Sequence, residues 1–294
     1  MITPNQVSLI IPTYNRQEIV SQTLKYLKKQ SITGFEVILV DQTVSNDSNL
    51  KNFKNDGFIY KYIKITETGL PNARNVGAEN AKGDILVFID DDSIPDPDLI
   101  QSYMNLFNDY EKDKWCIGGR VIEKNTNMFK ENDSIVGGWI TWYGKTLKNF
   151  DTAKSGECEW AAGGNFGLTK DLFIKAGGFD SNFIGTAVME DGDFGYAVRK
   201  NGGRVYYYPE PVIEHLRVPL GGLRQKNPAK GMFYRAHNSV YFFRKYGRRR
   251  FLFFVFVYLN AVALKEWVKQ KHDFSAFIWT WSGFYRGLIK KLNK

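Results

Sequence analysis

The run Ile85-Leu86-Val87-Phe88-Ile89 passes without a break into Asp90-Asp91-Asp92. Five consecutive apolar residues read as a strand buried on both faces, the kind found at the centre of a parallel sheet. Three adjacent carboxylates repel one another, and in a cleft they require a compensating cation. Carboxylate oxygens suit Mg²⁺ or Mn²⁺. The segment therefore predicts a divalent-metal site at a strand end. Aspartates also cap helices, but Asp96 and Asp98 are better placed for that task.

The flanking pattern predicts an α/β fold. Val7–Ile11 and Phe35–Val40 read as buried strands, and Phe58–Ile65 as a more exposed one. Helical spacing occupies Arg16–Gln30, Asn72–Ala81 and Asp98–Tyr110 between them. Strands alternating with helices imply right-handed βαβ units and a mostly parallel central sheet flanked by helices. Trp115–Ile122 reads as a further strand, 123–159 as a long loop or hairpin, and Thr169–Ala176 and Asp191–Asn201 as short helices. Arg204–Tyr208 and Val212–His215 read as two short strands. In such sheets ligands bind beyond the carboxyl ends of the strands. Pro12-Thr13-Tyr14-Asn15, Asp41-Gln42 and the aspartate triplet should thus converge on one edge.

The 294 residues carry a net charge of +9 that is unevenly distributed. Residues 1–215 hold 23 Lys/Arg against 29 Asp/Glu, and residues 216–294 hold 17 against Glu266 and Asp273 alone. A basic tail behind an acidic body faces something anionic. With 43% apolar residues the chain is neither disordered nor a small disulfide scaffold, and its two cysteines, Cys116 and Cys158, read as reduced thiols. No basic, apolar leader opens the chain, so no signal peptide is expected.

In order and spacing, VSLIIPTYNR (7–16), VILVD (37–41), GLPNARNVG (69–77), GDILVFIDDD (83–92), GGFD (177–180) and Glu190-Asp191 resemble the GT-A glycosyltransferases of family 2, over roughly residues 5–215. The resemblance implies a GT-A catalytic domain over 1–226. Its nucleotide-sugar-binding half would be 1–115 and its acceptor-binding half 116–226. It implies an inverting, metal-dependent, hexosyltransferase-like enzyme that moves a sugar from a nucleotide-diphospho-sugar to a hydroxyl. Pro12, Tyr14, Asn15, Arg16 and Asp41 would bind the nucleoside, with a UDP-sugar favoured and GDP- or dTDP-sugars the alternatives. Gln42-Thr43-Val44 departs from the usual acid-Gly-Ser after Asp41 and leaves the base open. Asn72, Arg74 and Asn75 would meet the diphosphate or sugar. Asp90 and Asp92 match the D-x-D pair, with Asp92 on the metal, Asp90 on ribose or metal-bound water, and Asp91 the variable middle position on the donor side. His215 would complete the metal shell or be a surface histidine. Asp191 would be the base and Glu190 its companion acid, with Asp193 in reserve. Trp160, Gly163, Gly164 and Asn165 would border the acceptor, although Trp160 reads equally well as core.

From residue 227 the chain reads as helices. Ala229–Tyr246 is basic and amphipathic, Phe251–Leu264 is an apolar run of 14 residues, and Phe274–Tyr285 is a second apolar stretch. Fourteen residues fall short of the roughly 20 that span a bilayer. Aromatics flanked by Arg248–Arg250 and Lys265 suit the membrane interface. The helices would then hold the enzyme at the cytoplasmic face, near a glycan or lipid-linked acceptor of bacterial or archaeal surface polysaccharide synthesis. Packing on the catalytic domain or in a homodimer is the alternative. A nucleic-acid-binding reading rests on the same tail, and a sugar nucleotidyltransferase on the same sheet. The first is opposed by the aspartates and the second by the absence of a Gly-rich basic loop after the first strand, so no nucleic acid is expected.

Overall fold

The computed structural model describes residues 1–109, 114–123, 132–218, 221–222, 227–270 and 273–292. In chain order the elements are β1 (Val7–Thr13), α1 (Gln17–Leu27), β2 (Glu36–Asp41), α2 (Ser48–Lys51), β3 (Ile59–Lys64), α3 (Leu70–Asn80), β4 (Ile85–Ile89), β5 (Ser93–Pro95) and α4 (Leu99–Phe107). They continue with β6 (Trp115–Ile122), β7 (Gly137–Ile140), β8 (Thr146–Asn149), β9 (Gly156–Glu157), β10 (Asn165–Thr169), α5 (Lys170–Ala176), α6 (Glu190–Lys200) and β11 (Arg204–His215). The chain ends in α7 (Pro228–Lys245), α8 (Leu252–Lys269) and α9 (Ser275–Ile289).

The main sheet runs β3-β2-β1-β4-β10-β6-β11-β5, with β9 paired to β11. β3, β2, β1 and β4 are parallel, as the alternating pattern predicts. β10 then pairs antiparallel with β4 and with β6, so the second half of the sheet is mixed. Every residue of β1, β2 and β4 is buried, which accounts for the apolar runs at their centres.

The register carries chemistry to one edge. Thr13 at the end of β1 lies opposite Asp41 at the end of β2. His215, the last residue of β11, pairs with Ser93, one residue past Asp92. The two short strands expected at 204–208 and 212–215 are one strand, with a register shift between Tyr207 and Val212. Pro209 and Pro211 fall inside that irregularity, where a missing N–H is tolerated.

Helix ends follow their local chemistry. Thr169 caps α5 by accepting from Leu172 N–H, and Gly177 closes it at φ 84°. Asn227 caps α7 by accepting from the N–H groups of Ala229 and Lys230. The 123–159 stretch contains the β7–β8 hairpin, and its residues 124–131 lie outside the described ones. The apolar run at 251–264 is part of a longer helix: Lys265, Glu266 and Lys269 do not stop it, and α8 reaches Lys269. Tyr241, Phe242 and Phe243 of α7 and Val255 and Leu259 of α8 belong to the same hydrophobic core as the sheet.

Candidate active site

Beyond β4 the aspartate triplet divides into three environments. Asp91 turns inward, accepting from Thr13 Oγ1 at 2.8 Å and from Arg16 at 2.8 Å. Asp92 is 1% exposed; its Oδ2 accepts from Val218 N–H at 3.1 Å, and its Oδ1 lies 3.2 Å from His215 Nε2. Asp90 is half-buried and faces the cleft. One donor atom each from Asp90, Asp92 and His215 lie within 4.8 Å of one another. The other ring nitrogen of His215, Nδ1, meets Glu123 Oε1 at 3.0 Å. A carboxylate behind a histidine in this way fixes its ring and raises its basicity as a ligand. Two carboxylates and an imidazole, oriented from behind and opening on a cleft, fit a divalent cation with mixed oxygen and nitrogen preference.

Electrostatics support the same arrangement. Burial works against the Asp92 carboxylate, but His215, Arg16 and the Val218 N–H hold it below the usual carboxylate range. Burial likewise opposes charge on His215, yet Asp92, Asp90 and Glu123 raise it to about 9. The imidazole is thus drawn toward negative charge that a metal ion would otherwise satisfy.

The cleft above this cluster encloses about 280 Å³ and is lined in part by Pro12, Tyr14, Gln42, Leu70, Thr186 and Gly222. Pro12 and Tyr14 are where the sequence predicts them. Asn15 is exposed at φ 54°, with its N–H on Thr43 Oγ1. Arg16 also lines the cleft. Its guanidinium binds Asp91, Asp92 and the Val218 carbonyl, so it also shapes the acidic loop. Asp41 lies beneath the cleft and is fully buried. It accepts from Thr43 N–H and Tyr62 O–H at 2.8 Å each and from Lys64 at 3.2 Å. Gln42 joins the cleft instead, its Oε1 accepting from Gly69 N–H at 2.7 Å.

The second half of the site is organised by Arg74, which is 2% exposed. Its guanidinium reaches Glu190 at 2.7 Å, Asp191 at 3.2 Å, Asp90 at 3.6 Å and the Gly163 carbonyl at 2.8 Å. Where the sequence predicts a diphosphate contact, Arg74 is buried and ties Asp90 to Asp191. Glu190 is 2% exposed and closed off by Arg74, so it does not reach a substrate. Burial pushes its carboxyl upward, with Arg74 pulling the other way. The Asp191 side chain is 33% exposed, and its Oδ2 accepts from Gly163 N–H at 3.1 Å. Of the acids on the first turn of α6, Glu190, Asp191 and Asp193, only Asp191 is open to the solvent. Asp193 is buried against Lys245 at 2.8 Å, which rules out its reserve role.

Several residues expected on substrate instead hold the backbone. Asn72 donates to the Glu67 carbonyl at 3.2 Å. Asn75 both donates to and accepts from the Phe179 backbone at 2.8 Å. Asn165 is fully buried and binds Tyr103 and the carbonyls of Arg120 and Pro211. Trp160 is 7% exposed, packed on Gly138 and edge-on to Phe150, so its core reading holds. Gly163 and Gly164 are required by close approach. A Cβ on Gly163 would stand 2.2 Å from Asp191 Oδ1, and one on Gly164 would stand 2.5 Å from Asp90 Oδ2. Sequence reasoning missed Glu123 and Thr186. Neither carried a local signal.

Residues 8–175 match the family model for glycosyl transferase family 2, more than half of the chain. The protein belongs to that family. It is similar to the chondroitin synthase of Escherichia coli, 27% identical over 240 residues, which are 70% of this chain and 35% of that protein. It is also similar to the GalNAc(5)-diNAcBac-PP-undecaprenol β-1,3-glucosyltransferase of Campylobacter jejuni, 28% identical over 130 residues, which are 43% of this chain and 41% of that one. The chain therefore spans well under half the length of either relative. Among solved structures, a mannosyltransferase from Pyrobaculum calidifontis with GDP-mannose and Mn²⁺ superposes with a TM-score of 0.59 at 15% identity. The match covers 97% of this chain and 86% of that one and shows a shared GT-A fold.

Proposed function

We propose that the protein is an inverting glycosyltransferase that uses a divalent ion, Mn²⁺ or Mg²⁺, to bind a nucleoside-diphospho-sugar and transfers the sugar to an acceptor hydroxyl. The observation that carries this reading is the placement of Arg74 between Asp90 of the metal cluster and Asp191. Asp90, Asp92 and His215 would hold the ion, which when bound supplies positive charge to a diphosphate leaving group. Asp191 accepts the acceptor hydroxyl's proton as that oxygen attacks. Arg74 and the Gly163 N–H fix the Asp191 carboxylate. A single exposed base suits one direct displacement, and one displacement inverts the anomeric centre. Pro12, Tyr14 and Gln42 border the nucleoside, and a UDP-sugar remains the favoured donor.

The acceptor we infer is a glycan or lipid-linked saccharide at a membrane. α8 lies within Arg249–Lys269, 21 residues that include an 18-residue window of mean hydropathy 1.7, long and apolar enough to cross a bilayer. One stripe, Val255, Leu259 and Ala263, is buried, while Phe253, Phe254 and Val257 are exposed. α9 likewise buries Ala276, Thr280, Gly283 and Gly287 and exposes Ile278, Trp281 and Tyr285. Helices packed along one stripe and apolar on the other suit an in-plane position at the cytoplasmic face.

The test is a panel of nucleotide-sugars with Mn²⁺ or Mg²⁺, read by thermal stabilisation and by release of nucleoside diphosphate. Stabilisation by one donor only when metal is present is expected. A panel without any stabilisation overturns the reading. Phe253→Ser combined with Ile278→Ser and Trp281→Ser should move the protein from membrane pellet to soluble fraction, and unchanged pelleting would remove the in-plane anchor.

A further inference from the structure

The β7–β8 hairpin and the α7–α8 junction enclose a second cleft of about 690 Å³, lined by Ile140, Trp142, Tyr246, Arg248, Arg250 and Phe251 with Gly247 between them. It shares no lining residue with the metal cleft. Its floor adjoins the helix that carries the base. Ile140 Cδ1 stands 2.6 Å from where a Cβ on Gly192 would lie, and Gly192 follows Asp191. Tyr246 donates its O–H to the Asp193 carbonyl at 3.0 Å.

The cleft has a definite chemistry. Neither Arg248 nor Arg250 has a carboxylate within ion-pair distance among the described residues. Each guanidinium instead lies over a ring, Arg248 over Tyr196 at 5.1 Å and Arg250 over Phe251 at 4.8 Å. Two guanidiniums fixed on aromatic faces present forks that match phosphate oxygens. Trp142, 51% exposed, offers an indole against which a sugar ring can lie.

The rim decides which phosphate. Trp142 stands edge-on to Phe254 at 4.7 Å, and Phe254 opens the exposed apolar face of α8, on which Phe253 is 68% exposed. A ligand in this cleft has its charged group beside the arginines and hydrocarbon immediately next to it. A phosphate joining a saccharide to a lipid chain meets both conditions, whereas a free acidic glycan meets only the first.

We propose that the Arg248–Arg250–Trp142 cleft binds the phosphate of a lipid-linked acceptor, leaving its saccharide to extend toward Asp191. The proposal rests on the glycosyltransferase reading and adds the acceptor's anchoring group.

The test uses the full chain and vesicles of phosphatidylcholine carrying either polyprenyl phosphate or phosphatidylglycerol at matched surface charge. Arg248→Lys with Arg250→Lys keeps the charge and removes the forked donors. The native protein should prefer polyprenyl phosphate. The double variant should lose about tenfold on those vesicles, the size of one charge-assisted hydrogen bond, and stay within about twofold on phosphatidylglycerol. Thermal melting and metal-dependent nucleoside diphosphate binding should match the native protein. Equal affinity of the native protein for both vesicles, or no loss in the double variant, overturns the proposal and leaves the arginines a general membrane charge. A native protein that binds no nucleoside diphosphate with metal sinks the glycosyltransferase reading instead, so the two failures are distinct.

Discussion

Arg74 and Glu190, 116 residues apart in the chain, meet at 2.7 Å with both side chains 2% exposed. The same guanidinium reaches Asp191 on one side and Asp90 on the other. A buried cation therefore couples the two catalytic halves, one built on α3 and β4 and the other on α6. Arg74→Met leaves Glu190 buried without its partner, and losing one member of such a pair costs about 3–5 kcal/mol. Urea unfolding should show that loss, with a smaller one for Arg74→Lys.

Gly163 gives a sharper probe, because its Cβ would fall 2.2 Å from Asp191 Oδ1 and 2.5 Å from an Arg74 nitrogen. Gly163→Ala must displace the base. A misplacement of that order lowers turnover on the order of 100-fold, while metal-dependent donor binding stays near native. Steady-state rates with calorimetric donor binding separate the two effects.

Lys245 links α7 to the catalytic region, bonding Asp180 at 2.9 Å and Asp193 at 2.8 Å. Burial pushes the Asp193 carboxyl up to about 6 even with Lys245 beside it. Without the ammonium, two buried carboxylates face each other. Lys245→Met should lower thermal stability and turnover together, and adding Asp193→Asn should restore part of the stability. A double-mutant cycle on melting temperature measures the coupling.

His237 gives a pH dependence outside the metal cluster. It is buried in α7, and burial holds its imidazole below the ordinary value of 6.5, with Lys290 and Arg286 acting in the same direction against the Asn238 bond. A folded-state value below the unfolded one means that this stability is present above pH 6.5 and lost as pH falls through the folded value. Between pH 7.5 and about 5.5 the native melting temperature should fall, and His237→Gln should flatten that slope.

The parts legible in the sequence are those with a local physical signature. β4 and Asp90–Asp92 announce themselves because apolar run and acids are contiguous. α5 does so because Thr169 and Gly177 bracket it. Glu123 is invisible, an isolated acid 92 residues from the histidine it orients. Asn75 and Asn165 hold backbone where the sequence predicts substrate contacts, since an amide facing a ligand and one facing a backbone carbonyl look alike in sequence. Asp41 shows the same limit: its strand end was legible, but Tyr62 and Lys64 come from the neighbouring strand. The continuity of β11 across Pro209 and Pro211 was not legible, because a register shift that accommodates proline is a property of the pair of strands. The length of α8 was underestimated because charged residues on an exposed helix face do not end a helix.

The central claim is that Asp90, Asp92 and His215 hold one divalent ion that secures a nucleoside diphosphate beside Asp191. Anomalous scattering at the manganese edge, from crystals grown with Mn²⁺ and UDP or GDP, tests it directly. The account predicts one peak among those three side chains, contacting the diphosphate, that disappears in Asp92→Ala and persists in Asp191→Asn. A bound nucleotide with its manganese elsewhere, or a peak undisturbed by Asp92→Ala, would contradict it.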